Sequence, residues 1–73
     1  MKTIYSKAYR EILERLKEAR SKAGLKQTDV AKALKKPQSY ISKIEAGERR
    51  LDPIELKQLA KLYDVKVSSI LGD

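Results

Sequence analysis

A short segment near the middle of the chain carries side chains whose donors and acceptors suit the edges of base pairs. If this segment is helical, a rotation of about 100° per residue away from apolar Ile41 and Ile44 turns four polar residues outward: Gln38, Ser39, Ser42 and Lys43. A Gln side chain can hydrogen-bond N6 and N7 of adenine together, and a Lys ammonium can donate to O6 and N7 of guanine. The alternative is a neutral face that is simply exposed to solvent. Ordinary surface helices favour Glu and Lys, however, whereas this face combines uncharged polar residues with one basic residue. The pattern therefore favours a surface that enters a DNA groove.

The helix that must position these side chains follows another short helix after a very tight connection. Apolar periodicity predicts helices over 27–34 and 38–45. Between them, Pro37 disfavours helical geometry at the preceding residue, Lys36. A corner this short makes two helices cross at a large angle, so the second helix projects from the surface. The small Ala31 allows the close contact, and the branched Ile41 on the second helix locks the pair together.

Three further helices are predicted around this pair. The first runs from Lys7 to Ala23, and the fourth runs to about Tyr63 from the start signal Asp52-Pro53-Ile54-Glu55. A last turn over 67–71 closes the core. No segment alternates with the period of a strand, so the sequence predicts an all-α domain of five helices. The residues expected to be buried are Ile12, Leu16, Ala19, Ala23, Val30, Ala31, Leu34, Ile41, Ile44, Leu56, Leu59, Ala60, Tyr63 and Ile70.

Composition restricts the function. The 73 residues include no Cys and no His, so the usual general base, activated thiol and zinc ligands are missing. The carboxylates show no calcium-loop spacing. We therefore expect no metal, no cofactor and no enzymatic activity. The 17 Lys and Arg residues outnumber 10 Asp and Glu residues, and the net charge of +7 favours a polyanionic partner, either nucleic acid or an anionic membrane surface.

The residues around the tight corner resemble a known family. The segments Gly24-Leu25-Lys26-Gln27 and Asp29-Val30-Ala31, followed by the run from Pro37 to Asp52 (PQSYISKIEAGERRLD), are similar to the lambda-repressor-like, Cro/repressor (XRE-type) helix-turn-helix family. The similarity extends forward to Leu71 and back to Leu16. It implies a compact five-helix domain, residues 1–73, with the helix-turn-helix formed by its second and third helices, at about residues 27–46.

The resemblance also implies which side chains contact DNA. The third helix would be the recognition helix. Its outward face would contact base edges through Gln38, Ser39, Lys43 and, more weakly, Ser42. The sugar-phosphate backbone would be contacted by Gln27, Tyr40, Arg49 and Arg50. Lys36 is a further phosphate candidate because it is basic and lies in the corner between the two helices.

Two internal contacts follow from the same resemblance. Gln27 would help to orient Gln38, and the ion pair of Arg20 with Glu45 would join the first and third helices. An internal Glu45 would not oppose DNA with its negative charge.

Three positions depart from the family pattern. Lys26 stands where Ser or Thr usually caps the second helix, a loss of about 1 kcal/mol. Lys35 replaces a turn Gly where a positive φ is expected, at a cost of about 1 kcal/mol. Asp64 replaces the usual Gly after the fourth helix. These departures predict local weakening and no loss of function.

The favoured function is a transcriptional regulator that represses by occupying its operator. An antitoxin, which also binds a toxin protein, and a controller protein of a restriction system remain alternatives, and a protein-interaction module without DNA binding is a weaker one. A membrane-binding first helix is disfavoured by its interleaved Glu11, Glu14 and Glu18. A homodimer on a pseudo-palindromic operator is expected, with residues 65–71 as the candidate dimer surface, in a cytoplasmic, nucleoid-associated protein.

Overall fold

Five helices make up the described part of the chain, residues 6–72 of the computed structural model. They are α1 (Lys7–Lys22), α2 (Gln27–Leu34), α3 (Gln38–Glu45), α4 (Pro53–Leu62) and α5 (Val67–Leu71). The predicted all-α, five-helix fold is confirmed, and α1 and α4 end one residue earlier than expected. The predicted domain also included residues 1–5 and 73, which lie outside the described residues.

Helix starts are set by local hydrogen bonds. The Ser6 hydroxyl accepts from the Tyr9 N–H at 3.2 Å at the start of α1. Asp52 and Glu55 form a reciprocal capping box at the start of α4, with N···O distances of 2.7 and 3.0 Å. At the start of α2 the Lys26 ammonium cannot accept a hydrogen bond, but the Asp29 carboxylate accepts from the Lys26 N–H at 2.8 Å. Half of a capping box therefore offsets part of the loss predicted for Lys26.

The corner between α2 and α3 is built by a left-handed residue. Lys35 has φ 58° and ψ 45°, as its position in the turn predicted. Its N–H donates to the Lys32 carbonyl at 3.2 Å, and the Lys36 N–H donates to the Ala31 carbonyl at 2.9 Å. These two bonds are the Schellman pattern that ends α2 and turns the chain toward Pro37. Asp64, two residues after the end of α4, has φ 58° as well.

The core is formed by apolar residues from all five helices. Its buried members are Leu13, Leu16, Ala19, Val30, Ala31, Ile41, Ile44, Leu59, Ala60, Tyr63 and Ile70. The buried face of α1 is rotated from the predicted stripe, because Leu13 is buried, Ile12 is only partly buried and Ala23 is exposed. Leu34 and Leu56 also pack only partly buried against this core. The rest of the predicted core is confirmed.

Two hydrogen bonds tie the later part of the chain to α1. The Tyr9 hydroxyl accepts from the Leu51 N–H at 2.9 Å, which ties the loop after α3 to α1. An Arg15 guanidinium nitrogen donates to the Ile70 carbonyl at 3.2 Å, which ties α5 to the same helix.

Gly47 is buried with φ 79° where the chain leaves α3. Only Gly adopts this conformation without strain, so Gly47 directs the following loop back toward α4.

Candidate nucleic-acid interface

The outward face of α3 carries the predicted base-reading side chains. Gln38, Ser39 and Lys43 are exposed, while Ile41 and Ile44 on the opposite face are buried. Ser42 is half-buried, and its hydroxyl donates to the Ser39 carbonyl one turn earlier at 3.2 Å. This internal bond occupies the Ser42 proton, so Ser42 is the least available of the four.

Side-chain amides link α2 to α3. The Gln38 Nε2 donates to the Gln27 Oε1 at 3.3 Å, and the Gln27 Nε2 donates to the Glu45 Oε1 at 2.9 Å. Gln27 lies at the first residue of α2, Gln38 at the first of α3 and Glu45 at the last of α3. The three side chains therefore form one continuous path of hydrogen bonds, which we call the amide relay.

The inner end of the amide relay rests on an ion pair. Arg20 binds Glu45 through two contacts, Nε to Oε2 at 2.7 Å and an outer guanidinium nitrogen to Oε1 at 3.1 Å. A third Arg20 nitrogen donates to the Leu25 carbonyl at 2.9 Å. Glu45 is only 9% exposed, and the hydrogen bond with Glu45 raises the pKa of Arg20. The pair thus joins α1 to α3, and the Glu45 carboxylate points inward.

A second cluster joins α3 to the start of α4. The Tyr40 hydroxyl donates to the Glu55 Oε2 at 2.7 Å, and the Arg49 guanidinium donates to the Glu55 Oε1 at 2.9 Å. Two cations lie near the Tyr40 ring, with the Arg49 guanidinium carbon 4.7 Å and the Lys36 Nζ 5.3 Å from its centroid. Burial and the hydrogen bond to Glu55 raise the pKa of Tyr40 to about 12.

Basic side chains lie at both ends of α3. Lys36 is exposed in the corner before the helix, and Arg49 and Arg50 are exposed in the loop after it. Lys43 adds a charge on the helix itself. Cations at both ends of one helix suit contact with a polyanion, and lysine and arginine side chains are common donors to DNA phosphates.

Comparison with known families agrees with this geometry. A family model described as helix-turn-helix matches residues 16–70, from α1 to the end of the core in α5. The chain belongs to the lambda-repressor-like helix-turn-helix family. The resemblance inferred from the sequence is therefore confirmed, and the protein is a DNA-binding helix-turn-helix domain. The sequence matches no curated protein sequence.

Glu55 is the residue of this lambda-repressor-like domain that sequence reasoning missed. The sequence assigned it only to the cap of α4, since it stands three residues after Asp52. In the structure its carboxylate also binds Tyr40 and Arg49, two of the predicted phosphate contacts. No spacing in the sequence relates Tyr40 to Glu55, because the contact forms only after Gly47 has turned the chain.

The cluster around Glu55 predicts a pH dependence of stability. Burial raises the pKa of the Glu55 carboxyl, but hydrogen bonds from Arg49, the Asp52 N–H and Tyr40 outweigh burial and lower it below the usual 4.5. A lowered folded-state pKa means that the carboxylate stabilises the domain above pH 4.5 and loses this effect as the pH falls through the folded value. We expect Glu55→Gln to lower the free energy of unfolding by about 1–2 kcal/mol at pH 7 and by progressively less in acid.

Urea unfolding of the wild type and Glu55→Gln between pH 7 and pH 3 measures this difference. Glu14→Gln, which removes an exposed carboxylate from α1, is the matched control. A wild-type advantage over Glu55→Gln that stayed constant down to pH 3 would contradict the assignment.

Two further observations describe the same part of this helix-turn-helix domain. Among residues 6–72 there is no cluster of three or more metal-ligating side chains. Nor does any described helix have the length and apolar character needed to cross a membrane.

Proposed function

We propose that this domain is a sequence-specific transcriptional regulator that inserts α3 into the major groove of double-stranded DNA and represses by occupying its operator. The observation that carries the proposal is the exposed end of the amide relay. Gln38 stands at the tip of α3, free toward solvent and held from behind by Gln27 at 3.3 Å. A base-reading amide that is already oriented loses less conformational entropy when it binds.

Base edges and phosphates are assigned to different side chains. Gln38, Ser39 and Lys43, with Ser42 in a minor role, are proposed to contact bases. Phosphate contacts are proposed for the groups at the two ends of α3, namely Gln27, Lys36, Tyr40, Arg49 and Arg50. The hydroxyl of Tyr40 also donates to Glu55 and its ring lies beside Arg49 and Lys36, so besides its proposed phosphate contact Tyr40 is expected to help place these two cations.

A homodimer on a pseudo-palindromic operator is part of the proposal. One domain covers limited DNA, and two domains related by a two-fold axis read two half-sites about one helical turn apart. The proposed dimer surface is the end of the chain around α5, where Leu71 is 43% exposed. Leu71 and Val67 border an apolar groove of about 390 Å³ against α1 and the start of α4.

Selection of bound sequences from a random duplex pool at physiological salt tests the proposal. We expect an enriched inverted repeat. Gln38→Ala should then weaken binding by about 1–3 kcal/mol and relax the preference at one position of each half-site. Gln58→Ala, the same change at an exposed site on α4, should leave binding unchanged.

Failure to enrich any motif would overturn the proposal. An affinity that Gln38→Ala leaves intact would remove α3 from base reading. In either case a protein partner, beginning with a toxin, would become the leading alternative.

A further inference from the structure

We infer that Glu45 determines which base Gln38 accepts, by fixing the direction of the amide relay. The inference rests on the function proposed above. It gives Glu45, a residue that contacts no base, a part in specificity beyond its ion pair with Arg20.

The direction of the relay follows from the chemistry of its inner end. An ionised carboxylate has acceptors and no donor, so the Gln27 group that faces Glu45 at 2.9 Å must be the amide nitrogen. The Gln27 oxygen then faces the other way, and it accepts from the Gln38 nitrogen at 3.3 Å. Arg20 donates to both carboxylate oxygens, at 2.7 and 3.1 Å, so the Glu45 carboxylate is held in place.

This direction decides what Gln38 presents to a base. One proton of its Nε2 is used inside the protein, so the exposed end offers the other proton together with the free Oε1. One donor beside one acceptor matches adenine, whose N7 accepts and whose N6 donates. Guanine presents two acceptors, N7 and O6, so the Gln38 oxygen would oppose one of them.

A guanine reader would need the opposite direction. Gln38 would have to turn its oxygen inward and both amide protons outward, and Gln27 would have to reverse in response. The Gln27 oxygen would then face the Glu45 carboxylate, acceptor against acceptor, inside a region where Glu45 is 9% exposed. Glu45 therefore excludes guanine by making the reversed relay unfavourable.

Neutralising Glu45 removes this exclusion. A Gln at position 45 has one donor and one acceptor, so it satisfies Gln27 in either direction. We expect Glu45→Gln to reduce the preference for adenine over guanine about tenfold, the scale of one hydrogen bond to a charged group. The change should come mainly from tighter binding of the guanine duplex.

Fluorescence anisotropy with duplexes that differ only at the base pair relaxed by Gln38→Ala measures this ratio. Glu48→Gln removes an exposed carboxylate three residues further on and is the matched control, expected to leave the ratio unchanged. Circular dichroism establishes that each variant is folded. If Glu45→Gln is unfolded, Gln27→Met decides, because it interrupts the relay but keeps the Arg20–Glu45 pair, and it should also lower the ratio.

The outcomes separate this inference from the proposed function. A wild type that binds no duplex selectively overturns the proposed function and this inference with it. A wild type that reads a base other than adenine at this position, or a folded Glu45→Gln or Gln27→Met variant that keeps the wild-type ratio, overturns only the role of Glu45.

Discussion

Replacing Arg20 with Met is expected to lower the free energy of unfolding by about 3–5 kcal/mol, because it leaves the Glu45 carboxylate buried without its counter-charge. The Glu45 side chain is 5% exposed and the Arg20 side chain 16% exposed, so the carboxylate has little contact with water. The Gln27 amide would remain as a single neutral donor. A domain of this size has a total stability of roughly 4–11 kcal/mol, so the expected loss is a large fraction of the total.

A double variant separates the penalty of a lone charge from the value of the pair. Arg20→Met combined with Glu45→Met removes both charges and fills similar volume, and such replacements are often neutral or stabilising. We expect the double variant to regain most of the stability that Arg20→Met loses. Arg10→Met, an exposed position on α1, should change stability by less than about 0.5 kcal/mol.

Urea unfolding followed by circular dichroism at low temperature measures all three variants. Equal losses for Arg20→Met and for the double variant would show that the attraction between the charges, and not the burial of a lone carboxylate, dominates this site. A loss below about 1 kcal/mol for Arg20→Met would contradict the burial of Glu45.

The helices of this domain follow from local signals in the sequence. Asp52, Pro53 and Glu55 place the start of α4, and they do so because a capping box involves only residues three apart. The capping box depends on neighbouring residues alone, so sequence reasoning reaches it. The positive φ of Lys35 follows instead from the resemblance to the family, which usually has Gly at this turn position, and the structure confirms it.

The face that a helix buries is harder to predict when small residues are present. Ala23 continues the apolar spacing of α1, but it lies at the end of the helix and is exposed. Near the start of the helix, Leu13 is buried in the core, whereas the predicted Ile12 is only partly buried. Spacing alone does not distinguish two faces rotated by one residue, because the choice depends on where α3 and α5 pack.

In the candidate interface, too, some features can be predicted from local sequence and others cannot. Exposure of Gln38, Ser39 and Lys43 follows from the inward position of their apolar neighbours on the same helix. The contacts behind them do not follow from any periodicity. Glu45 lies 18 positions from Gln27 in sequence, and Glu55 lies 15 from Tyr40, so each contact depends on the path of the chain through the corner or the loop between them. The resemblance to a family supplied the Arg20–Glu45 pair but not the part played by Glu55.

The close crossing of α2 and α3 leads to the second large effect. Ile41 is 1% exposed and belongs to the same core cluster as Ala31, so it joins α3 to the rest of the domain. We expect Ile41→Ala to lower the free energy of unfolding by about 2–5 kcal/mol, through lost apolar burial and the cavity that remains. Urea unfolding at pH 7 measures the change.

The chain offers a matched control for this substitution. Ile54, at the start of α4, is 63% exposed, so Ile54→Ala removes the same atoms without opening a cavity. Ala is also the better helix former, and the expected change is within about 0.5 kcal/mol of zero. Similar losses at the two positions would mean that Ile41 does not lie at the closed side of α3. A loss confined to Ile41 would instead show that the helix proposed to read DNA is held in place mainly by the apolar face it turns away from the groove.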